Sequence, residues 1–232
     1  MNAAELQGPA SQAIRVWDLP TRTFHWLLAV LVVASILSAH VGGGAMTWHM
    51  RSGYAIFTLL AFRLVWGFVG GRWSRFATFF YAPSTSLRYL RGASLPRELH
   101  HVGHNPLGAW SVFGLLGVLV VQVASGLVAD DEISSSGPLL KYVSSATSRI
   151  ATHWHKDFGQ WIIVTLAVVH VGAIAYYWRR RGQNLVAPML HGDKLLAADV
   201  PAAIDSAGTR ALALGIAAAC AIGVAAVVNL GQ

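Results

Sequence analysis

Acidic residues and cysteine are what this chain has least of. Its 232 residues include 10 Asp plus Glu against 17 Lys plus Arg, and one cysteine, Cys220. A lone cysteine cannot close an internal disulfide. No Cys-x-x-Cys-His motif occurs either, so covalent c-type haem attachment is excluded. Cysteine-ligated iron–sulfur clusters are disfavoured on the same count. Charge of either sign is rare: 12% of residues are charged and 55% are hydrophobic, with a mean hydropathy of +0.52. A soluble domain carries about 25% charge. The composition is that of a polytopic membrane protein in one bundle. A net charge of +7 would suggest nucleic acid in a soluble protein. Here the basic residues flank apolar runs, where they set topology, and no nucleic-acid partner is expected.

What is present is a set of long apolar runs. Five can cross a bilayer, at about 23–41, 50–70, 107–128, 156–178 and 209–229. A β-barrel would alternate in hydrophobicity, and these runs do not, so the spans are helices. The polar residues 1–22 precede a first run that carries a histidine, which reads as a retained span rather than a cleaved signal. Asn105-Pro106 reads as a cap with proline in the first turn of the third helix. Twelve Lys and Arg fall on the side of the N-terminus, the 71–106 connection and the stretch after the fourth span from Arg179 to Arg210, and four on the other. The split predicts a cytoplasmic N-terminus and, after five spans, a C-terminus outside. The loop 129–155, with Asp130, Asp131 and Glu132, then lies outside as a docking surface, a lid or a plain solvated connector. The fifth run has no histidine and lies outside the chemistry.

The chain is organised around its fourth span. His155 stands at the entry and His170 in the apolar interior, 15 residues apart. On an α-helix that spacing separates the side chains by about 60° around the axis and roughly 22 Å along it. Ionisable groups inside a bilayer are costly and usually functional. With the topology above, depth pairs His25 with His170 near the cytoplasmic side and His49 with His155 near the outer side. Two imidazoles at each of two depths suit two haems b, each with bis-histidine ligation. His40 is the alternative to His49, and His153 the alternative to His155. His100, His101 and His104 fall in a loop as solvated residues or as proton acceptors at a quinone site, and His191 as a surface residue. Gly53 and Gly159 each follow a histidine by four residues, where a flat macrocycle or a neighbouring helix can approach closely. Arg63 lies 14 residues after His49 and about 40° round from it. It reads as the partner of a haem propionate or as an arginine reaching for the membrane surface. Arg22 is a weaker candidate for the propionate.

Several stretches resemble one known family. They are Arg15-Val16-Trp17-Asp18 with Thr23-Phe24-His25-Trp26, Trp48-His49-Met50-Arg51-Ser52-Gly53-Tyr54, and Phe62-Arg63-Leu64-Val65-Trp66-Gly67-Phe68-Val69-Gly70. They continue with Gly103-His104-Asn105-Pro106-Leu107-Gly108, the run from His155 to His170, and Asn184-Leu185-Val186 through Gly192. In this order they resemble the bacterial cytochrome b561 superfamily, which includes the membrane b-type subunits of nickel–iron hydrogenase and formate dehydrogenase. The resemblance implies an all-α membrane protein: a four-helix transmembrane bundle holding two non-covalent b haems, with a fifth helix outside the shared core. It implies domain limits of 1–22 for a cytoplasmic segment, 23–195 for the haem domain and 196–232 for the linker and fifth helix. It carries the axial ligands onto His25, His49, His155 and His170. It also implies 14 residues between the fourth-helix histidines, where this chain has 15.

The implied function is electron transfer across the bacterial inner membrane. It runs between the quinone pool and a periplasmic partner, a c-type cytochrome or a hydrogenase-like enzyme, with no bond-making chemistry of its own. Two rivals stand beside it. One is a superoxide:quinone oxidoreductase on the same fold, against which the acidic Asp130-Asp131-Glu132 argues. The other is a histidine-bearing metal transporter, against which the lack of Asp and Glu in the apolar body of the spans argues.

Overall fold

The structure is a computed structural model that describes residues 11–91, 102–133, 135–197 and 200–231. Five of its helical stretches are long and apolar enough to cross a membrane. The first is α1 (Leu19–Val41). Asp18 caps it by accepting the Thr21 N–H, and Pro20 sits in its first turn, where no donor is wasted. Gly42 and Gly43 then reverse the chain with φ of 67° and 53°, a region open to glycine at little cost. Helix α2 (Met46–Val69) returns antiparallel to α1. A short helix, α3 (Pro83–Leu90), lies outside the bundle core. Helix α4 (Pro106–Gly126) is the third span, and the Asn105 side chain accepts the Gly108 N–H as its cap.

The fourth span differs most from expectation. The sequence places its start near Lys156, yet helix begins at Ser145, capped by Ser144. It runs as α5 (Ser145–His153), a six-residue π-helical turn (Trp154–Gly159) and α6 (Gln160–Arg181). The polar face of 145–153 hid this helix from a search for apolar runs. The outer connection is correspondingly shorter than 129–155. Helix α7 (Val186–His191) follows, and α8 (Ala207–Asn229) is the fifth span.

One small sheet was not anticipated. Strand β1 (Ser11–Arg15) pairs antiparallel with β2 (Asp193–Ala197), with Ser11 opposite Ala197 and Arg15 opposite Asp193. The pairing holds the segment before the first span against the segment after the fourth. This end of the bundle is called the sheet end and the opposite one the far end. The sheet end is closed by polar contacts: Arg15 on Asp193 and Asp205, Trp73 Nε1 on the Pro201 carbonyl, and Lys194 Nζ on the Val102 carbonyl at 2.8 Å. Burial lowers the Lys194 ammonium to about 8.

Asp18 is the hub of that closure and is fully buried. Its carboxylate accepts the Thr21 and Gly71 N–H groups, the Trp66 indole N–H and the Ser74 hydroxyl, at 2.8 to 3.3 Å. A Cβ on Gly71 would lie 2.3 Å from Asp18 Oδ2, so only glycine fits there. A buried carboxylate is tolerated when its oxygens are saturated with donors in this way.

Two apolar clusters fill the bundle. Phe24, Phe62, Trp66 and Ala213 form one, with Ile216, Ala217 and Cys220 of α8 packed on it. Ile56, Leu60, Leu119 and Ile163 form the other, between the two levels of histidines. Outward-facing Val30, Leu37, Val168 and Val169 are more than half exposed, as side chains that meet lipid are.

Candidate haem-binding site

The histidines meet in two pairs across the bundle. At the far end His49 of α2 faces His155 of the π-helical turn, with ring centres 5.9 Å apart and planes at 81°. At the sheet end His25 of α1 faces His170 of α6, with ring centres 6.4 Å apart and planes at 50°. An imidazole nitrogen lies about 2.0–2.1 Å from a bound metal and roughly 1.1 Å from its own ring centre, so rings trans across a metal have centres roughly 6 Å apart. Both pairs match that separation. The depth pairing read from sequence is the pairing found in space.

The π-helical turn accounts for the odd spacing on the fourth span. A π turn takes one residue more than an α turn. Fifteen residues containing it act as 14 on a regular helix, about 40° short of four full turns rather than 60° past them. The extra residue is absorbed between His155 and His170, and both rings still reach their partners.

Hydrogen bonds orient three of the four rings. His49 Nδ1 lies 2.9 Å from the Ser35 carbonyl and 3.1 Å from its hydroxyl. His155 Nδ1 lies 2.9 Å from the Gln122 carbonyl, with Ser125 Oγ at 3.4 Å. His170 Nδ1 lies 3.3 Å from Ser111 Oγ. A ring that donates its Nδ1–H to a carbonyl presents Nε2 as the lone-pair nitrogen, which is the form a metal ligand needs. His25 Nδ1 has no hydrogen-bond partner among the described residues.

Around the far-end pair is a cavity of about 490 Å³, lined by Gly53, Tyr54, Gly126 and Lys156 as well as the two histidines. Nothing lies within 4 Å of where a Cβ on Gly53 would stand, so its face is open for a flat ligand. Gly159 points elsewhere. A Cβ there would lie 1.9 Å from Gln122 Oε1, so this glycine admits Gln122 from α4. Gly126 does the same for the His155 ring: its Cβ would stand 2.7 Å from His155 Cε1.

Near the sheet-end pair the unsatisfied polar atoms include those of a buried cation. Arg63 is 3% exposed, with its guanidinium 4.7 Å from the Phe76 ring centre, and Nη1 has no partner among the described residues. A buried cation left with a free donor suits a carboxylate-bearing ligand such as haem. Arg22 is committed otherwise, to the Leu190 carbonyl and toward Asp205, although its Nε is also unpartnered.

The remaining histidines sort clearly. His40 bonds the Ile36 carbonyl of its own helix, and His153 bonds Asp157 on the exposed side of its turn. His191 is a surface residue beside the Asp193 N–H. His100 and His101 lie outside the described residues. His104 is not the solvated loop residue anticipated. It is packed between Trp17 and Phe79, at 4.7 and 4.6 Å between ring centres. Burial, with the Arg63 and Lys194 cations beside it, lowers its pKa to about 3. A ring held neutral to that pH takes no proton from water near pH 7. Sequence reasoning missed Ser35, Ser111 and Gln122, whose side-chain types carry no signal at these positions.

A family model described as prokaryotic cytochrome b561 matches residues 16–192. Similar proteins include a probable Ni/Fe-hydrogenase B-type cytochrome subunit of Rhizobium leguminosarum bv. viciae, 23% identical over 216 residues, covering 79% of this chain and 90% of that protein. The probable Ni/Fe-hydrogenase 1 B-type cytochrome subunit of Escherichia coli K12 is 23% identical, covering 67% of this chain and 80% of its own length. The corresponding Azotobacter vinelandii protein is 25% identical, covering 82% and 91%. No solved structure matches the chain. With five apolar helices and facing histidines within the matched region, this chain belongs to the prokaryotic cytochrome b561 family and is a multi-pass membrane b-type cytochrome that transfers electrons.

Proposed function

We propose that the chain holds two b haems and conducts electrons between the quinone pool and a redox partner outside the bacterial inner membrane. His49 and His155 are the axial ligands at the far end, and His25 and His170 those at the sheet end. The observation that carries this reading is the pair of ring-centre separations, 5.9 and 6.4 Å. The basic residues gathered at the sheet end support a cytoplasmic sheet end and a periplasmic far end.

Haem b, when bound, supplies a one-electron couple at each level. The protein's part is to hold and tune. His49 with His155 and His25 with His170 would each hold one haem from both sides, which suits electron transfer rather than oxygen or peroxide chemistry. Arg63 offers its unpartnered Nη1 to a propionate at the sheet end, and Gly53 leaves a face clear at the far end. The relatives' names support a hydrogenase-like redox subunit as the partner, with a c-type cytochrome as the alternative. Asp130 and Asp131 line the far-end cavity and would repel superoxide, which argues against a superoxide oxidoreductase. No group of three or more His, Cys, Asp or Glu side chains converges among the described residues, which argues against a metal-transport path.

A reduced-minus-oxidised spectrum of the detergent-purified chain, with haem and protein quantified together, tests the reading. The expected result is two non-covalent b haems per chain. A folded, haem-supplied preparation with none would overturn it.

A further inference from the structure

The π-helical turn at Trp154–Gly159 is gripped from α4 by one residue. Gln122 Nε2 donates to the His155 carbonyl at 2.9 Å, and the Gln122 backbone carbonyl accepts from His155 Nδ1 at 2.9 Å. One residue thus holds both the main chain and the ring of one histidine. The wider π turn is not a stable conformation by itself; such turns persist where something else secures them. Here the surroundings are shaped for the grip. Gly159 has no side chain, so Gln122 Oε1 occupies the space a Cβ would take. Gly126, one helical turn along α4, lets the His155 ring approach the same helix closely. Gln122 Oε1 and Trp154 Nε1, both buried and unpartnered, face this gap over Gly159.

We propose that Gln122 is a positioning residue: through the His155 carbonyl it sets the rotation of the His155 ring against that of His49, and so tunes the outer haem. This rests on the reading of His155 as an axial ligand. The two ring planes cross at 81° at the far end, against 50° at the sheet end. Bis-histidine ferric haems report this angle directly, because nearly perpendicular ring planes give a larger low-spin gmax in the electron paramagnetic resonance spectrum. Ligand hydrogen bonds also set potential: a firm Nδ1–H bond makes the imidazole more basic and favours ferric iron.

The experiment compares wild type with Gln122→Leu, Gln122→Glu and Gly159→Ala, each purified with its haem. Haem per chain, gmax and the redox titration of each haem are measured. Gln122→Glu keeps the bulk and replaces the amide donor by acceptors, and Gly159→Ala displaces the amide from the other side. In all three, the larger gmax should fall and one haem should shift upward in potential. The expected shift is about threefold in the reduced-to-oxidised ratio, which is ~28 mV at 59 mV per tenfold. The other haem should be unchanged. Loss of one haem from Gln122→Leu, with the shift present in Gln122→Glu, also supports the proposal. Wild-type gmax and potentials in Gln122→Glu would overturn it, whatever Gln122→Leu does. Equal changes at both haems would overturn it too, because that is loosening of the bundle. Wild-type protein that binds no haem at all would count against the ligand assignment, and would be seen before any variant is made.

Discussion

The two histidine pairs are built on different principles. At the far end both rings are tied by Nδ1 to backbone carbonyls, Ser35 and Gln122, at 2.9 Å. Among the described residues the cavity around them is lined by Lys156 but by no arginine, and by Asp130, Asp131 and Asp157 as well. At the sheet end one ring has only the Ser111 hydroxyl at 3.3 Å and the other has no partner among the described residues, while buried Arg63 stands close by. Backbone carbonyls make an imidazole more electron-donating, and a buried cation favours an extra electron nearby. Both differences act in the same direction. The far-end haem should be the lower in potential and the sheet-end haem the higher, so that an electron entering from outside runs downhill toward the cytoplasm.

The largest effect expected from breaking the comparison is loss of one haem. His49→Ala should leave one b haem per chain, the sheet-end one, by the pyridine haemochrome assay. Retention of both would move the outer ligand to His40. Next in size, Arg63→Leu should lower the potential of the sheet-end haem alone. Removing a nearby buried charge at an effective dielectric of about 20 should be worth roughly 1–2 kcal/mol, on the order of tens of millivolts to 100 mV for one electron. A redox titration that finds the far-end haem moved instead would reverse the assignment of Arg63. Smaller again, Ser111→Ala should raise the sheet-end haem by tens of millivolts at most, since it removes that ring's one hydroxyl partner. Ser35→Ala should change the far-end haem less, because the Ser35 carbonyl remains.

The smallest effect should come from Lys194, which closes the sheet end without approaching either pair. Its pKa is lowered to about 8 in the folded protein against 10.5 unfolded. Between those values the unfolded chain binds the extra proton, so stability should rise with pH from about 8 to 10.5. Lys194→Met should flatten that rise in thermal unfolding and leave both haem potentials unchanged.

Much of this arrangement is legible in the chain. Long apolar runs report membrane helices because lipid offers the backbone no other hydrogen-bond partner. Histidines within those runs stand out because burial there is costly. Polar helices and polar contacts are harder to read. Ser145–His153 is helical through its Ser144 cap and its contacts with α4 and the loop after it, where Ser148 Oγ donates to the Val128 carbonyl, and its composition matches a loop. The β1–β2 pairing joins residues nearly two hundred positions apart and has no local signal. Asp18 reads as a charge in a polar leader, yet it saturates its carboxylate with donors from its own helix start, from α2 and from the turn at Gly71–Ser74. Gly159 has the right spacing for a haem neighbour, but the space beside it is taken by Gln122.

The sequence by itself determined that the chain crosses a membrane and that four histidines stand at two depths within it. Hydropathy and helical periodicity are local properties, and they suffice for both. Only the tertiary structure decided that the two far-end rings turn Nδ1 to backbone carbonyls, that a π turn absorbs the fifteenth residue between His155 and His170, and that the sheet-end pair lacks such carbonyl partners among the described residues. Those depend on atoms from helices distant in sequence meeting at hydrogen-bond distance, and no single segment encodes that meeting.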